Sequence, residues 1–144
     1  MEEKNIENNL VIFDYTEYPG PRYCIQGKNS GEDFYHKKLN EAFVNAINHK
    51  QKLIVDLDGT AGYASSFLDE AFGNLVFDFS KNLVFNNLII ISNQETDWKD
   101  MIMKEVINDW EQRRIEDKTP KKTESHDEWY KLKGEKIEKA KWLL

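Results

Sequence analysis

Asp56 and Asp58 stand two residues apart behind the apolar run Leu53-Ile54-Val55, and Gly59 and Thr60 follow them. Carboxylates at that spacing beyond a strand can point the same way, and Gly59 lets the backbone turn beneath them. Such a pair is equipped for nucleophilic or proton-transfer chemistry. A little further on, Ser65 and Ser66 lead into a stripe of apolar residues at helical spacing. A hydroxyl at a helix start can accept a backbone amide as a cap, or carry a phosphate where the helix tolerates an anion. The first chemistry belongs to an enzyme, the second to a switch.

The elements that must position these groups follow from periodicity. Leu10 to Tyr15 has strand composition, Pro19-Gly20-Pro21 is a turn signal, and Arg22 to Gln26 reads as a short returning strand. Ser30-Gly31-Glu32-Asp33 carries the capping-box pattern and opens a helix to about His49. Leu53 to Leu57 reads as a covered central strand, with Gly59 and Gly62 marking the loop behind it. Phe67, Leu68, Ala71, Phe72, Leu75, Val76 and Phe79 then form the clearest helical stripe in the chain. Gly73 falls inside that stripe at a cost of about 1 kcal/mol relative to Ala, which points to a closely approaching neighbour. Asn87 to Ser92 is another buried-type strand, and Glu95 to about Arg114 a third helix. Residues 116–126 read as a polar linker, and residues 127–144 as an amphipathic helix. Residues 1–9 read as a disordered tail.

Composition narrows the classes. The chain has 144 residues and a formal net charge of −6, enough length for one domain with a proper core. Residues 1–110 carry a net −8 and residues 111–144 a net +2. An acidic body repels nucleic-acid backbone, so no nucleic-acid partner is expected. Cys24 is the lone cysteine, so neither an intrachain disulfide nor a thiolate zinc site is expected, and with His36, His49 and His126 scattered no His-rich metal site is expected either. No metal or cofactor is expected from this pattern. The first dozen residues are acidic and Asn-rich, and no apolar run approaches the ~20 residues of a membrane span. The expectation is a cytoplasmic protein with no membrane association.

The run ending Asp56-Leu57-Asp58-Gly59-Thr60 resembles the first motif of haloacid dehalogenase phosphatases. That resemblance implies Asp56 as nucleophile, Asp58 as general acid and Mg²⁺ between them. Leu88 to Ser92 is similar to the second motif of the same superfamily. The later lysine and acidic pair that complete its Mg²⁺ site have no counterpart, because everything after Ser92 reads as helix or linker.

A second resemblance covers more of the chain. Pro19-Gly20-Pro21-Arg22-Tyr23, Ser30-Gly31-Glu32-Asp33-Phe34 and the run from Asp58 through Gly59, Gly62, Tyr63, Ser65, Ser66, Phe67 and Glu70 to Gly73 look like the motifs of a bacterial STAS-like family of unknown function. The family is related to the STAS domains of anti-sigma-factor antagonists. The likeness extends over roughly residues 10–95. It implies an α/β fold: a mixed sheet of about four strands with helices packed on it, here followed by an extra C-terminal helix. It implies a STAS-like domain over residues 10–115 and a non-enzymatic, regulatory role with a kinase- or ATPase-type protein partner. Ser65 matches the serine that the partner kinase phosphorylates in the regulatory relatives. Ala64 stands where those relatives have aspartate, and Phe67 where they have glycine.

The surface implied for a partner is Tyr63, Ser65, Ser66 and Phe67. Ser66 with Asp69 can equally form a capping box, and Arg22 can clamp Glu32 inside the fold. The apolar last helix either docks on its own domain or takes a partner, a second copy of the chain included. Two other functions remain open beside the interaction module: the Mg²⁺-dependent phosphatase and a small-ligand or nucleotide sensor.

Overall fold

The structure is a computed structural model that describes residues 8–142. Most of the tail expected over residues 1–9 therefore lies outside the described residues, as do Leu143 and Leu144.

Three short strands form an all-parallel sheet: β1 (Asn9–Val11), β2 (Leu53–Asp56) and β3 (Leu88–Ile91), in the spatial order β1-β2-β3. Val55 lies between Leu10 and Ile90 in register. Leu53, Val55, Leu88 and Ile90 are buried, while Ile89, pointing to the other face, is 40% exposed. The sheet is thus covered on one side. Parallel neighbours need long crossovers, and here both are helical. The first runs through α2 (Gly31–Phe34), a π-wound turn (Tyr35–Leu39) and α3 (Asn40–Asn48). The second runs through α4 (Ser65–Phe79) and α5 (Lys81–Asn87).

The helix α4 is the centre of the molecule. All seven residues of the expected stripe are buried, and so are Glu70, Gly73, Asn74 and Asp78. A helix buried beyond one face must be covered on several sides. It touches α2, α5, the helix α7 (Ile107–Ile115) and the C-terminal strand Trp129–Lys133. Two glycines permit this crowding. A Cβ on Gly73 would lie 2.0 Å from Cε2 of the buried Trp110, and one on Gly31 would lie 2.4 Å from the carbonyl oxygen of Phe67. The neighbour expected at Gly73 is Trp110, carried on α7, which follows α6 (Asp97–Asp100) and a second π-wound turn (Met101–Val106).

Three expectations need correction. Residues 12–15 form a single helical turn, α1 (Ile12–Tyr15), in place of the second half of a strand. Arg22 to Gln26 is not a strand. Cys24–Gln26 forms a 3₁₀ turn, and the backbone carbonyls of Pro21 and Arg22 accept the amides of Gly31 and Glu32 instead of a sheet partner. The main sheet therefore has three parallel strands, not about four mixed ones. The C-terminal helix is instead an antiparallel hairpin, β4 (Trp129–Lys133) and β5 (Lys136–Ala140). Its two-residue loop starts at Gly134, at φ +66°, a position that hairpin turns reserve for glycine. Lys, Glu and Ala give this stretch helical propensity, but Leu132 opposes Ile137 across the pair and Trp129 is buried against the core. Tertiary packing overrides propensity there.

Candidate functional site

The carboxylates behind β2 hold backbone. Asp56 Oδ1 accepts the amide of Asp58 at 2.9 Å. Asp58 Oδ1 accepts the amides of Asn93 and Gln94 at 2.8 and 2.9 Å, and its Oδ2 accepts from Asn93 Nδ2 at 3.0 Å. Gly59, at φ +98°, donates its amide to Gln94 Oε1 and lies against Phe13. Gly62, at φ +135°, continues the turn. Asp56 thus holds its own turn, and Asp58 staples the loop after β2 to the loop after β3. The Ser92 hydroxyl donates to the Glu95 carbonyl. Between the two loops lies a crevice of about 240 Å³, lined by Leu57, Asp58, Thr60, Tyr63, Ser92 and Trp98.

At the start of α4, Ala64 occupies the N-cap position and no side chain caps the helix. Ser65 is exposed and Ser66 half-buried. The capping box between Ser66 and Asp69 does not form. Asp69 instead accepts from Trp110 Nε1 at 3.0 Å and from Arg22 at 2.6 Å. Tyr63 donates its hydroxyl to the Leu57 carbonyl at 2.6 Å, and burial pushes its pKa up to about 12. Phe67 is fully buried against Phe34 and Tyr63. It is a core residue, so the partner surface expected at Tyr63–Phe67 shrinks to Ser65, the exposed part of Ser66 and the edge of Tyr63. Ser65 borders a groove of about 190 Å³ shared with Arg22, Asp69, Glu105 and Asp109.

The remaining motif residues build the frame. Gly20 donates its amide to the Asn29 carbonyl, and a Cβ there would lie 2.1 Å from the Lys28 carbonyl oxygen. The Pro21 carbonyl accepts from Gly31. Ser30 caps α2 as expected, its hydroxyl accepting the Asp33 amide at 3.0 Å. The clamp expected between Arg22 and Glu32 is absent. The Arg22 guanidinium reaches Asp69 at 2.6 Å and Glu70 at 3.2 Å. Glu70 also accepts from Asn74 at 2.8 Å, and burial nevertheless pushes its carboxyl above the usual range.

Glu32 has a different set of partners. Its side chain is fully buried and accepts four hydrogen bonds: from the Cys24 amide, the Thr123 amide and hydroxyl, and His126 Nε2 at 2.6 Å. Burial opposes its charge, but the bonds from His126, Thr123 and Cys24 outweigh burial and hold the carboxyl well below its ordinary range. The ring of His36 stacks on His126 at 3.8 Å. Lys122 reaches Asn74 Oδ1 at 2.7 Å and lies over Tyr35 and Trp129. Lys122, Thr123 and His126 belong to the stretch that reads as linker. Nothing in its local composition marks them, because the groups they serve lie far back in the chain.

A three-stranded parallel sheet crossed by helices, with a serine in the first turn of its central helix, makes this molecule an α/β domain. Residues 30–98, from the cap of α2 through β2, α4 and β3, match a family described as a STAS-like domain of unknown function. No curated protein and no solved structure matches the chain. Among the described residues, no helix is long and apolar enough to cross a membrane.

Proposed function

We propose that this STAS-like domain is a non-enzymatic protein-interaction module in a bacterial regulatory pathway, and that negative charge on Ser65 weakens its hold on a kinase- or ATPase-type partner. The observation that carries this reading is that Ser65 is exposed in the first turn of α4 with no capping duty. A phosphate adds about −1.5 to −2 charges and is tolerated by its own helix start. The groove it would join already holds Asp69, Glu105 and Asp109, with Arg22 engaged by Asp69 and Glu70. The added charge therefore alters the surface a partner meets far more than the fold. Asp56 and Asp58 support the non-enzymatic part of the reading, since both are spent on turn amides. The crevice at the ends of β2 and β3 lies where open α/β sheets bind ligands. At about 240 Å³ it falls below the ~300–1,000 Å³ of ordinary small-molecule sites, which weighs against a small ligand at that place.

The test compares Ser65→Asp, Ser65→Ala and wild type for urea midpoint and for affinity to the partner recovered by pull-down. Ser65→Ala should bind normally and change stability by less than ~0.5 kcal/mol, as a surface change does. Ser65→Asp should keep the midpoint and lose binding. Equal affinity of all three for the partner would remove Ser65 from the interface.

A further inference from the structure

We propose that Cys24, Glu32 and His126 form a binding site for a borderline-soft divalent transition metal, Zn²⁺ being the best match. One ligand atom from each of the three lies within 4.8 Å of the other two. The three come from separate parts of the fold: the 3₁₀ turn Cys24–Gln26, the first turn of α2, and the stretch that follows α7.

Thiolate, imidazole and carboxylate are the three ligand types Zn²⁺ takes, at bond lengths that set ligand atoms roughly 3.3–3.8 Å apart in a tetrahedron. The edge between His126 Nε2 and Glu32, 2.6 Å, would open to that size, and the edges to Cys24 Sγ, within 4.8 Å, lie near or above it. A mixed S, N, O set selects against Mg²⁺ and Ca²⁺, which take oxygen ligands.

The surroundings are those of an oriented ligand set. Glu32 is held by the Cys24 amide and by the amide and hydroxyl of Thr123. The Ser30 hydroxyl donates to Cys24 Sγ at 3.4 Å and fixes the orientation of the sulfur. Such outer partners fix the angle and basicity of metal ligands. His126, 7% exposed, is held in place by its stacking on His36. The ion would take the place of the proton between His126 Nε2 and Glu32, now 2.6 Å apart, and of the thiol proton of Cys24. Both protons leave to solvent. An entry path exists, because Cys24 lines a cleft of about 560 Å³ with Asp33 and Glu124. Three protein ligands leave a fourth position for water, or for Glu124, whose carboxylate also comes within 4.8 Å of Cys24 Sγ.

Cys24 is the single cysteine, so a sulfur signal reports this site alone. The experiment titrates chain free of chelator and of any polyhistidine tag with Co²⁺, then displaces it with Zn²⁺. Expected are the visible bands of tetrahedral cobalt together with a near-ultraviolet sulfur-to-cobalt band at one equivalent, both abolished by Zn²⁺. Cys24→Ser should remove the sulfur band and weaken Co²⁺ binding by ~100-fold or more, while the fold, checked by circular dichroism, persists. His126→Gln should weaken binding similarly, and His49→Gln, at an exposed position outside the cluster, should not. Should His126→Gln fail to fold, Cys24→Ser decides, because its half-buried thiol is replaced by an isostere. Wild-type spectra without a sulfur band, or equal Co²⁺ affinity for wild type and Cys24→Ser, would overturn the assignment.

Discussion

At the scale of single residues, identical local patterns meet different fates. Ser30 with Asp33 and Ser66 with Asp69 have the same spacing of serine and aspartate, and the sequence reads both as capping boxes. Ser30 caps, but Ser66 does not, because α4 starts one residue earlier, with Ala64 at its N-cap and Ser66 already inside the first turn. The reciprocal bond is lost as well, since the Asp69 carboxylate is taken by Arg22 and Trp110, 47 and 41 residues away. The same clamp leads to a prediction. Arg22 shares its guanidinium with buried Glu70, and at the surface end with Asp69, where both partners are 30% exposed and partly screened. Arg22→Ala should cost ~1–3 kcal/mol, less than the loss of a fully buried pair. The sign of its pH dependence follows from Glu70, whose carboxyl is raised by burial. A raised carboxyl gives stability that is present below its unfolded pKa and lost as pH rises through the folded value. Removing Arg22 raises it further, so urea melts should show a larger loss at pH 7 than at pH 4.5. An equal loss at both pH values would mean that Arg22 does not hold Glu70 ionised.

At the scale of elements, apolar stripes were legible and polar-rich segments were not. The stripe of α4, the runs of β2 and β3 and the helical stretch after Ser30 all appear close to their expected bounds, because each buries a pattern that the residues themselves display. The hairpin was hidden because Lys and Glu occupy most of its outward positions and read as helix. Gly134, in the middle of that supposed helix, was the available signal. Gly73 shows the opposite case, a local irregularity that named its cause. Gly73→Ala should gain about 1 kcal/mol in helix propensity, yet its Cβ would sit 2.0 Å from Trp110. The ring is 2% exposed and packed, so overpacking should win and the variant should be ~1–3 kcal/mol less stable than wild type. Stabilisation in a urea melt would mean that Trp110 moves freely, against its buried place under Arg113 and beside Asp69.

At the scale of the whole molecule, the stretch from Thr119 to Trp142 completes the fold. It supplies Lys122 to Asn74, Thr123 and His126 to Glu32, and the Tyr130 backbone to Asn40 on both its amide and its carbonyl. A chain ending at Lys118 should therefore lose its cooperative urea transition and bind the dye ANS while keeping helical circular dichroism. A sharp transition in that shortened chain would show that residues 8–118 are self-sufficient. The pairing of Glu32 with His126 also spans 94 residues. At roughly 5–20 residues per second of synthesis, about 5–19 s separate the appearance of this carboxylate from that of its imidazole partner. Throughout that interval Glu32 lacks the His126 and Thr123 bonds that offset its burial in the folded chain. Closure around this carboxylate therefore depends on residues made 94 positions after it.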